Sequence, residues 1–442
     1  MRFLAERLAE LADAYGVPGA QCAIRIDGET LTAETGHLDA RGERRVEADS
    51  AFPLASVTKV LTATVVMQLA DDGDLELDVP LGRLCAELAG GAGDRVTLRQ
   101  LLSHTSGLVN DHGAGDGRSL RGYALACRDS ALLFEPGTAF SYSSAGYALA
   151  GRVLENVTRT SWRDVISDFL LVPAGVTPRF VATDPGADTG GVACGHTASA
   201  PHRRLPALVP AALAPAAGLA ASASDLVTLA EAYFDGASGE LLAAGPVAEM
   251  ARAVPCAEPF GLAAGWGLGW GVYDSAKGPW LGLDGAGAGT TCSIRISPEQ
   301  GIAVALTANS SGGLAVWHGL LELLRDEGVH VGTLDVPVPA QTRRTAGPDC
   351  AGTYTNGGTE FTVHTGEGAC LLVDADGDRY RLEFADDLTF RAHALTGTDE
   401  PTGMPFAGRF TRTGDDGRIG LLQFGGRAMR RAAATVHAAP VG

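Results

Sequence analysis

Ser56-Val57-Thr58-Lys59 is the segment of this chain best equipped for chemistry. A serine followed three residues later by a lysine, at the head of an apolar-rich run, places both side chains on one face of a first helical turn. A serine hydroxyl is a weak nucleophile near neutral pH. A neighbouring lysine amine, partly desolvated, can lose its proton and act as its base. The competing reading is a plain N-cap serine. A second candidate is Tyr142 in Ser141-Tyr142-Ser143-Ser144, which follows the turn Glu135-Pro136-Gly137-Thr138. Brought against Ser56 and Lys59, its phenol would move protons; otherwise it anchors a loop. His104, in Leu101-Leu102-Ser103-His104-Thr105-Ser106-Gly107-Leu108, lies between helical and turn residues and reads as a partner for backbone groups. Gly282-Leu283-Asp284-Gly285-Ala286-Gly287-Ala288-Gly289 precedes a strand at Thr291 and reads either as a flexible loop or as a place of close backbone approach.

Other combinations fail. Asp374-Ala375-Asp376-Gly377-Asp378 places its glycine fourth instead of sixth for a calcium loop, and Ala385 stands where the closing acid belongs. Cys194, His196 and His202 lack zinc spacing. No G-x-S-x-G elbow occurs. The chemistry legible here calls for no cofactor and no metal.

The elements that must position these residues follow from periodicity. Met1 to Leu11 reads as an amphipathic helix with no export-signal character, and Gln21–Ile26 and Glu29–Glu34 flank Asp27-Gly28 as a hairpin. A helix opened by Ser56 runs toward Gly73, and further helices cover Thr97–Leu102, about Tyr147–Val157, Trp162–Leu170 and Ser224–Tyr233. Strands return at Trp266–Val272, Thr291–Ser297 and Ile302–Ala308, before a helix over about Leu314–Asp326. Strands at both ends with a helical block between them imply one mixed sheet with the helices inserted as a second lobe. The class is α/β (α+β), with a domain over 1–331 whose helical lobe spans about 60–250. Residues 332–348 read as a linker. Residues 349–442, with alternating segments cut by Asn356-Gly357-Gly358, Asp376-Gly377 and Asp416-Gly417, read as a small all-β barrel or sandwich.

The chain has 442 residues, 45% of them hydrophobic, enough for a large core and more than one domain. A net charge of −18 speaks against nucleic acid or an anionic membrane as partner. Eight scattered cysteines without a C-x-x-C pair fit reduced thiols, hence a cytoplasmic protein.

Taken in order, these motifs resemble the serine β-lactamase and penicillin-binding-protein superfamily, in the branch of class C β-lactamases, D,D-carboxypeptidases, D-aminopeptidases and related esterases. The residues carrying the likeness are Phe52 to Lys59, Leu101 to Leu108, Glu135-Pro136-Gly137 with Tyr142 to Tyr147, Ala217-Gly218-Leu219 with Ser222 to Leu226, and Gly267 to Trp270. The resemblance implies a β-lactamase/transpeptidase-like fold over about residues 10–330 and a lipocalin-like C-terminal module. It implies Ser56 as nucleophile, Lys59 as its base or proton relay, and Tyr142 as proton carrier to the leaving group. The oxyanion would be held by the N–H of Ser56 and one from the strand near Thr291.

Two positions depart from the pattern. Ser144 stands where the family usually has Asn, and Leu283-Asp284-Gly285 where it usually has Lys or His, any residue, then Gly. A leucine brings no charge to clamp a substrate carboxylate or lower the tyrosine pKa, so ordinary β-lactamase or carboxypeptidase activity is disfavoured. The expectation is a serine acyl-enzyme hydrolase or acyltransferase. Its substrate would be a small-molecule or peptidyl ester, thioester or amide, including one bound to a carrier protein. The likeness extends to penicillin-binding-protein-type thioesterases that release and cyclise nonribosomal peptides. The alternatives are a general esterase or D-amino-acid peptidase, and a non-catalytic binding protein that kept the fold.

Overall fold

The computed structural model describes residues 2–40, 42–110, 118–183, 191–198, 200–334, 349–366, 369–385, 387–398, 400–413 and 417–432. The expected linker therefore lies outside the described residues over 335–348, and so does Asp416. Among the helices of the first unit are α1 (Arg2–Ala14), α2 (Thr58–Asp71), α3 (Leu98–Leu102), α4 (Ser144–Thr158), α5 (Ala214–Ala217), α6 (Ala223–Ala230) and α7 (Gly313–Asp326). Its main strands are β1 (Gly19–Ile26), β2 (Glu29–Gly36), β3 (Gly265–Trp266), β4 (Gly271–Tyr273), β5 (Trp280–Gly287), β6 (Thr290–Ser297) and β7 (Ile302–Ala308). They form one seven-stranded sheet in the order β2-β1-β7-β6-β5-β4-β3.

The α/β class with a helical lobe is as expected, but the strand directions are not mixed. Every pairing in this sheet is antiparallel. Short turns join β1 to β2, β5 to β6 and β6 to β7, and a tight connection can only reverse the chain. The first of these turns uses Asp27 and Gly28, both at positive φ, as the Asp-Gly pair predicts. Helices α1 and α7 cover one sheet face. They approach closely, because a Cβ at Gly319 would lie 2.5 Å from Leu11 Cδ2. The opposite face packs against α6 and the helical lobe.

Two segments depart from their sequence reading. Trp266–Val272 is not one strand but β3 and β4, divided by a turn at Gly269 (φ +95°), whose missing side chain leaves room for Ala63 2.7 Å from its would-be Cβ. The glycine run at 282–289, open to reading as a flexible loop, is largely β5, a full strand of the sheet. Its glycines answer to close approach. A Cβ at Gly282 would meet Arg295 Cδ at 2.4 Å, and one at Gly285 would meet Leu54 O at 2.5 Å.

The C-terminal strands close into a barrel rather than a sandwich. They are β8 (Gly352–Asn356), β9 (Thr359–Gly366), β10 (Ala369–Asp374), β11 (Arg379–Phe384), β12 (Thr389–Leu395), β13 (Pro401–Arg412), β14 (Ile419–Phe424) and β15 (Arg427–Arg431). Alternating inward side chains, among them Tyr354, Leu372, Phe390, Phe410 and Met429, fill its core. No helix of the described residues is long and apolar enough to cross a membrane.

Candidate active site

Ser56 does not cap a helix. It lies in a single 3₁₀ turn, Ala55–Val57, that runs into α2, and no side-chain capping bond forms at either helix start. Ala55 immediately before it is held at φ +46°, an uncommon conformation for a residue with a Cβ. What holds that turn is visible on both sides. Leu54 donates its N–H to Leu219 O at 2.9 Å, and Phe52-Pro53 pair with Ala220-Ala221. Strand β5 passes along the other side, where Gly285 has no side chain because Leu54 O and the Ser56 nitrogen occupy that space.

One turn on, Lys59 is buried with its Nζ donating to Ala216 O at 3.0 Å and lying 3.3 Å from Ser56 Oγ. The segment that receives it is sewn to α2 by two further bonds: Thr62 Oγ1 to Pro215 O at 2.8 Å, and Leu219 N–H to Thr58 Oγ1 at 3.2 Å. Burial, aided by the positive charge of Arg427, lowers the Lys59 amine from the ordinary lysine value to about 7. The amine is thus available as a free base near neutrality.

Tyr142 completes the group. Its ring lies under Lys59 Nζ, 4.9 Å from the centroid, and Tyr147 of α4 offers a second ring at 5.9 Å. The Tyr142 hydroxyl is buried and faces Ser56, although no hydrogen bond of ordinary geometry joins them among the described residues. Burial drives this phenol well up, outweighing the downward pull of Ser56 and Arg427. The two groups therefore divide the work: lysine can be deprotonated at pH 7 while tyrosine keeps its proton.

His104 has the structural role read from the sequence, and it performs that role inside the site. Its Nδ1 accepts the Ser143 N–H at 3.0 Å, its carbonyl accepts the Ser141 N–H at 2.8 Å, and its ring lies 4.3 Å from that of Tyr142. Burial and the nearby Lys59 lower its pKa far below the usual range, so the ring is neutral, with its proton on Nε2.

The supporting residues sort differently from expectation. Leu283 is buried in the main core and carries no charge to the site. Asp284 is held by Arg295 through two bonds of 2.9 and 2.7 Å, with Arg295 stacked 4.0 Å from the Tyr273 ring. Burial pushes the Asp284 carboxyl up, but Arg295 and Ser293 outweigh it and hold the carboxyl ionised. It is a strut between β5 and β6, not a group offered to substrate. Thr291 is misplaced to lend an oxyanion N–H, because it lies in β6 between Ala286 of β5 and Ala308 of β7, inside the sheet ladder. Its side chain packs against Gly313 of α7, on the far face, and its hydroxyl donates to Ser310 O at 2.9 Å. The strand beside Ser56 is β5, which beyond Gly282 has β6 on one edge only. Ser144 starts α4 and gives its N–H to Asn110 Oδ1 at 2.9 Å.

Asn110, Asn356, Gly426 and Arg427 were not singled out by sequence reasoning, and all reach this loop. Tyr142 donates its N–H to Gly426 O at 2.9 Å, and Ser141 Oγ accepts from Ala428 N–H at 3.1 Å. Asn356 Nδ2 donates to Ala428 O at 2.8 Å and Ser141 Oγ at 3.3 Å, while its Oδ1 accepts the Asn110 N–H at 2.9 Å. The barrel thus grips the strip that carries Tyr142. No local motif marks these residues, which lie in turns and a strand away from the catalytic motifs.

A serine beside a buried lysine, on a sheet capped by a helical lobe, fits one class: a serine hydrolase. The β-lactamase family model matches residues 4–327, and the chain belongs to that family. It is 33% identical to penicillin-binding protein 4 of Amycolatopsis lactamdurans over 367 residues, which cover 79% of this chain and 96% of that protein. The crystal structure of SurE with D-Leu matches 98% of this chain and 99% of that chain at 39% identity, with a TM-score of 0.85. A class C β-lactamase from Rhodobacter sphaeroides shares the fold at 20% identity and a TM-score of 0.61, over 74% of this chain and all of that one.

Proposed function

We propose that Ser56 is the nucleophile of an acyl-transfer reaction on a peptidyl ester, thioester or amide, with Lys59 as its base and Tyr142 as proton carrier. The observation that carries this reading is Lys59, buried beside Ser56 Oγ and lowered to about 7. As Ser56 Oγ bonds to the substrate carbonyl carbon, its proton moves to the neutral Lys59 Nζ. The oxygen of the tetrahedral species takes hydrogen bonds from the Ser56 N–H and from backbone N–H on the free edge of β5. Collapse breaks the bond to the leaving group, which takes a proton passed from Lys59 through Tyr142. Attack by water or an amine on the acyl-Ser56 ester runs these transfers in reverse and restores Ser56.

Among such substrates we favour a peptidyl thioester released or cyclised during natural-product assembly, carrying a D-residue next to the reacting bond. The likeness to SurE, solved with D-Leu, supports the D-residue. Leu283 in place of a cation supports a substrate read without a carboxylate at that position. Eight cysteines without paired spacing suit a cytoplasmic setting for this work. The kinship with penicillin-binding protein 4 favours a second reading, action on penicillin-like or D-peptide carboxylates, against which Leu283 stands.

A panel of peptidyl thioesters with D- or L-residues at the acyl end, simple esters and nitrocefin separates these readings. Consumption of D-ended thioesters, with nitrocefin almost untouched, is expected. Rapid nitrocefin turnover with thioesters unchanged overturns the substrate reading.

A further inference from the structure

The position where the third motif should carry a cation holds buried Leu283, and the first cation after it in sequence, Arg295, is committed to Asp284. The barrel brings another to the loop that bears Tyr142. Arg427 is the first residue of β15, directly after the Gly425-Gly426 turn, and both its neighbours are tied to the Tyr142 loop. Gly426 O receives the Tyr142 N–H at 2.9 Å, and the Ala428 N–H reaches Ser141 Oγ at 3.1 Å. Within its own domain Arg427 touches only lightly, with Nη1 3.4 Å from Thr359 Oγ1. Asn356, buried between the two units, and Gln423, whose Nε2 donates to Phe140 O at 3.2 Å, lock the register of this contact.

We propose that the barrel supplies the cation missing from the catalytic unit: Arg427 stands in for the basic residue absent at position 283 and sets the protonation of the Ser56–Lys59–Tyr142 group. This rests on the acyl-transfer reading above. Among the described residues, the titratable groups around it are neutral His104 after α3, Tyr147 of α4, Asp284 of β5 neutralised by Arg295, and Arg427 of β15. Arg427 is the positive charge among them without a carboxylate partner in that set, and it acts on Lys59 and Tyr142 in the same direction, favouring the deprotonated form of each. Arg427 is a positioning residue in this sense, since its effect passes through Lys59 and Tyr142. A domain that reads as an appendage thereby becomes part of the catalytic apparatus.

The test is the pH dependence of Ser56 labelling by an uncharged fluorophosphonate, measured on the full chain for wild type, Arg427→Met and Arg427→Lys, with thermal unfolding alongside. The probe has no carboxylate, so loss of a substrate contact cannot mimic the effect. For Arg427→Met the acid limb is expected to move upward by about half to one pH unit, slowing labelling roughly three- to ten-fold below pH 7 while the alkaline plateau stays. Arg427→Lys should restore the limb. An unmoved limb, or a uniform drop at every pH with a lowered unfolding temperature, overturns the proposal and leaves the nucleophile reading standing. Failure of wild type to label overturns both.

Discussion

Lys59 is the residue on which chemistry and stability pull in opposite directions. Its amine titrates near 7 in the folded chain against an ordinary value of 10.5. Between those values the unfolded chain binds the extra proton, so stability rises with pH across that window, and the full cost of burial is felt below it. Lys59→Met should therefore abolish acylation yet stabilise the protein by on the order of 2 kcal/mol at pH 6, a gain that shrinks toward pH 10. Unfolding temperatures of both proteins at the two pH values check this; an equal gain at both would show that packing, not charge, is responsible. In the proposed reaction the same amine sets the activity profile. Acylation needs it neutral, so kcat/KM should rise through an acid limb near pH 7. Asp284→Asn belongs to the same scale. It leaves the guanidinium of Arg295, which is 5% exposed, without its carboxylate, and should cost about 3 kcal/mol in denaturant titration.

At the scale of elements, the proposed nucleophile depends on how closely β5 runs beside the turn that bears Ser56. Gly285→Ala places a methyl group 2.5 Å from Leu54 O, a backbone atom with little freedom to retreat. The substitution should destabilise by about 1–3 kcal/mol and slow fluorophosphonate labelling more than it lowers stability; normal labelling would show that this contact does not hold Ser56. Much of this level was legible in the sequence. The hairpin at Asp27-Gly28, the helix after Ser56 and the last two sheet strands follow from turn chemistry and periodicity. Strand β5 was harder to see, because glycines at 282, 285 and 287 erase the apolar alternation that marks a strand. Those glycines serve neighbours from distant segments, which local pattern does not contain. The placement of Thr291 failed for a related reason. An edge strand has free N–H groups and an inner strand does not, and only the assembled sheet shows that β6 is paired on both sides while β5 is open beyond Gly282.

At the scale of the whole molecule, the barrel and the catalytic unit meet at the loop bearing Tyr142. Asn356 is the hinge pin of that contact, bonded to Asn110, Ser141 and Ala428 at once. Asn356→Ala should lower kcat by about ten-fold through misplacement of Tyr142, with KM for a small ester less affected; steady-state kinetics with a chromogenic ester reads both. Equal kinetics in the two proteins would separate the barrel from catalysis. Ser56, Lys59 and Tyr142, which the fold brings together, could be singled out because each sits in a local motif. Asn356 and Arg427 were not, since they lie more than two hundred residues beyond Tyr142 and read as turn and strand residues of another domain. The central claim remains that Ser56 carries the acyl group. Intact-mass spectrometry after incubation with an activated peptidyl ester, on wild type and Ser56→Ala, tests it most directly. A single acyl adduct on wild type and none on Ser56→Ala is the predicted result; no adduct on wild type, or the same adduct on both, would contradict it.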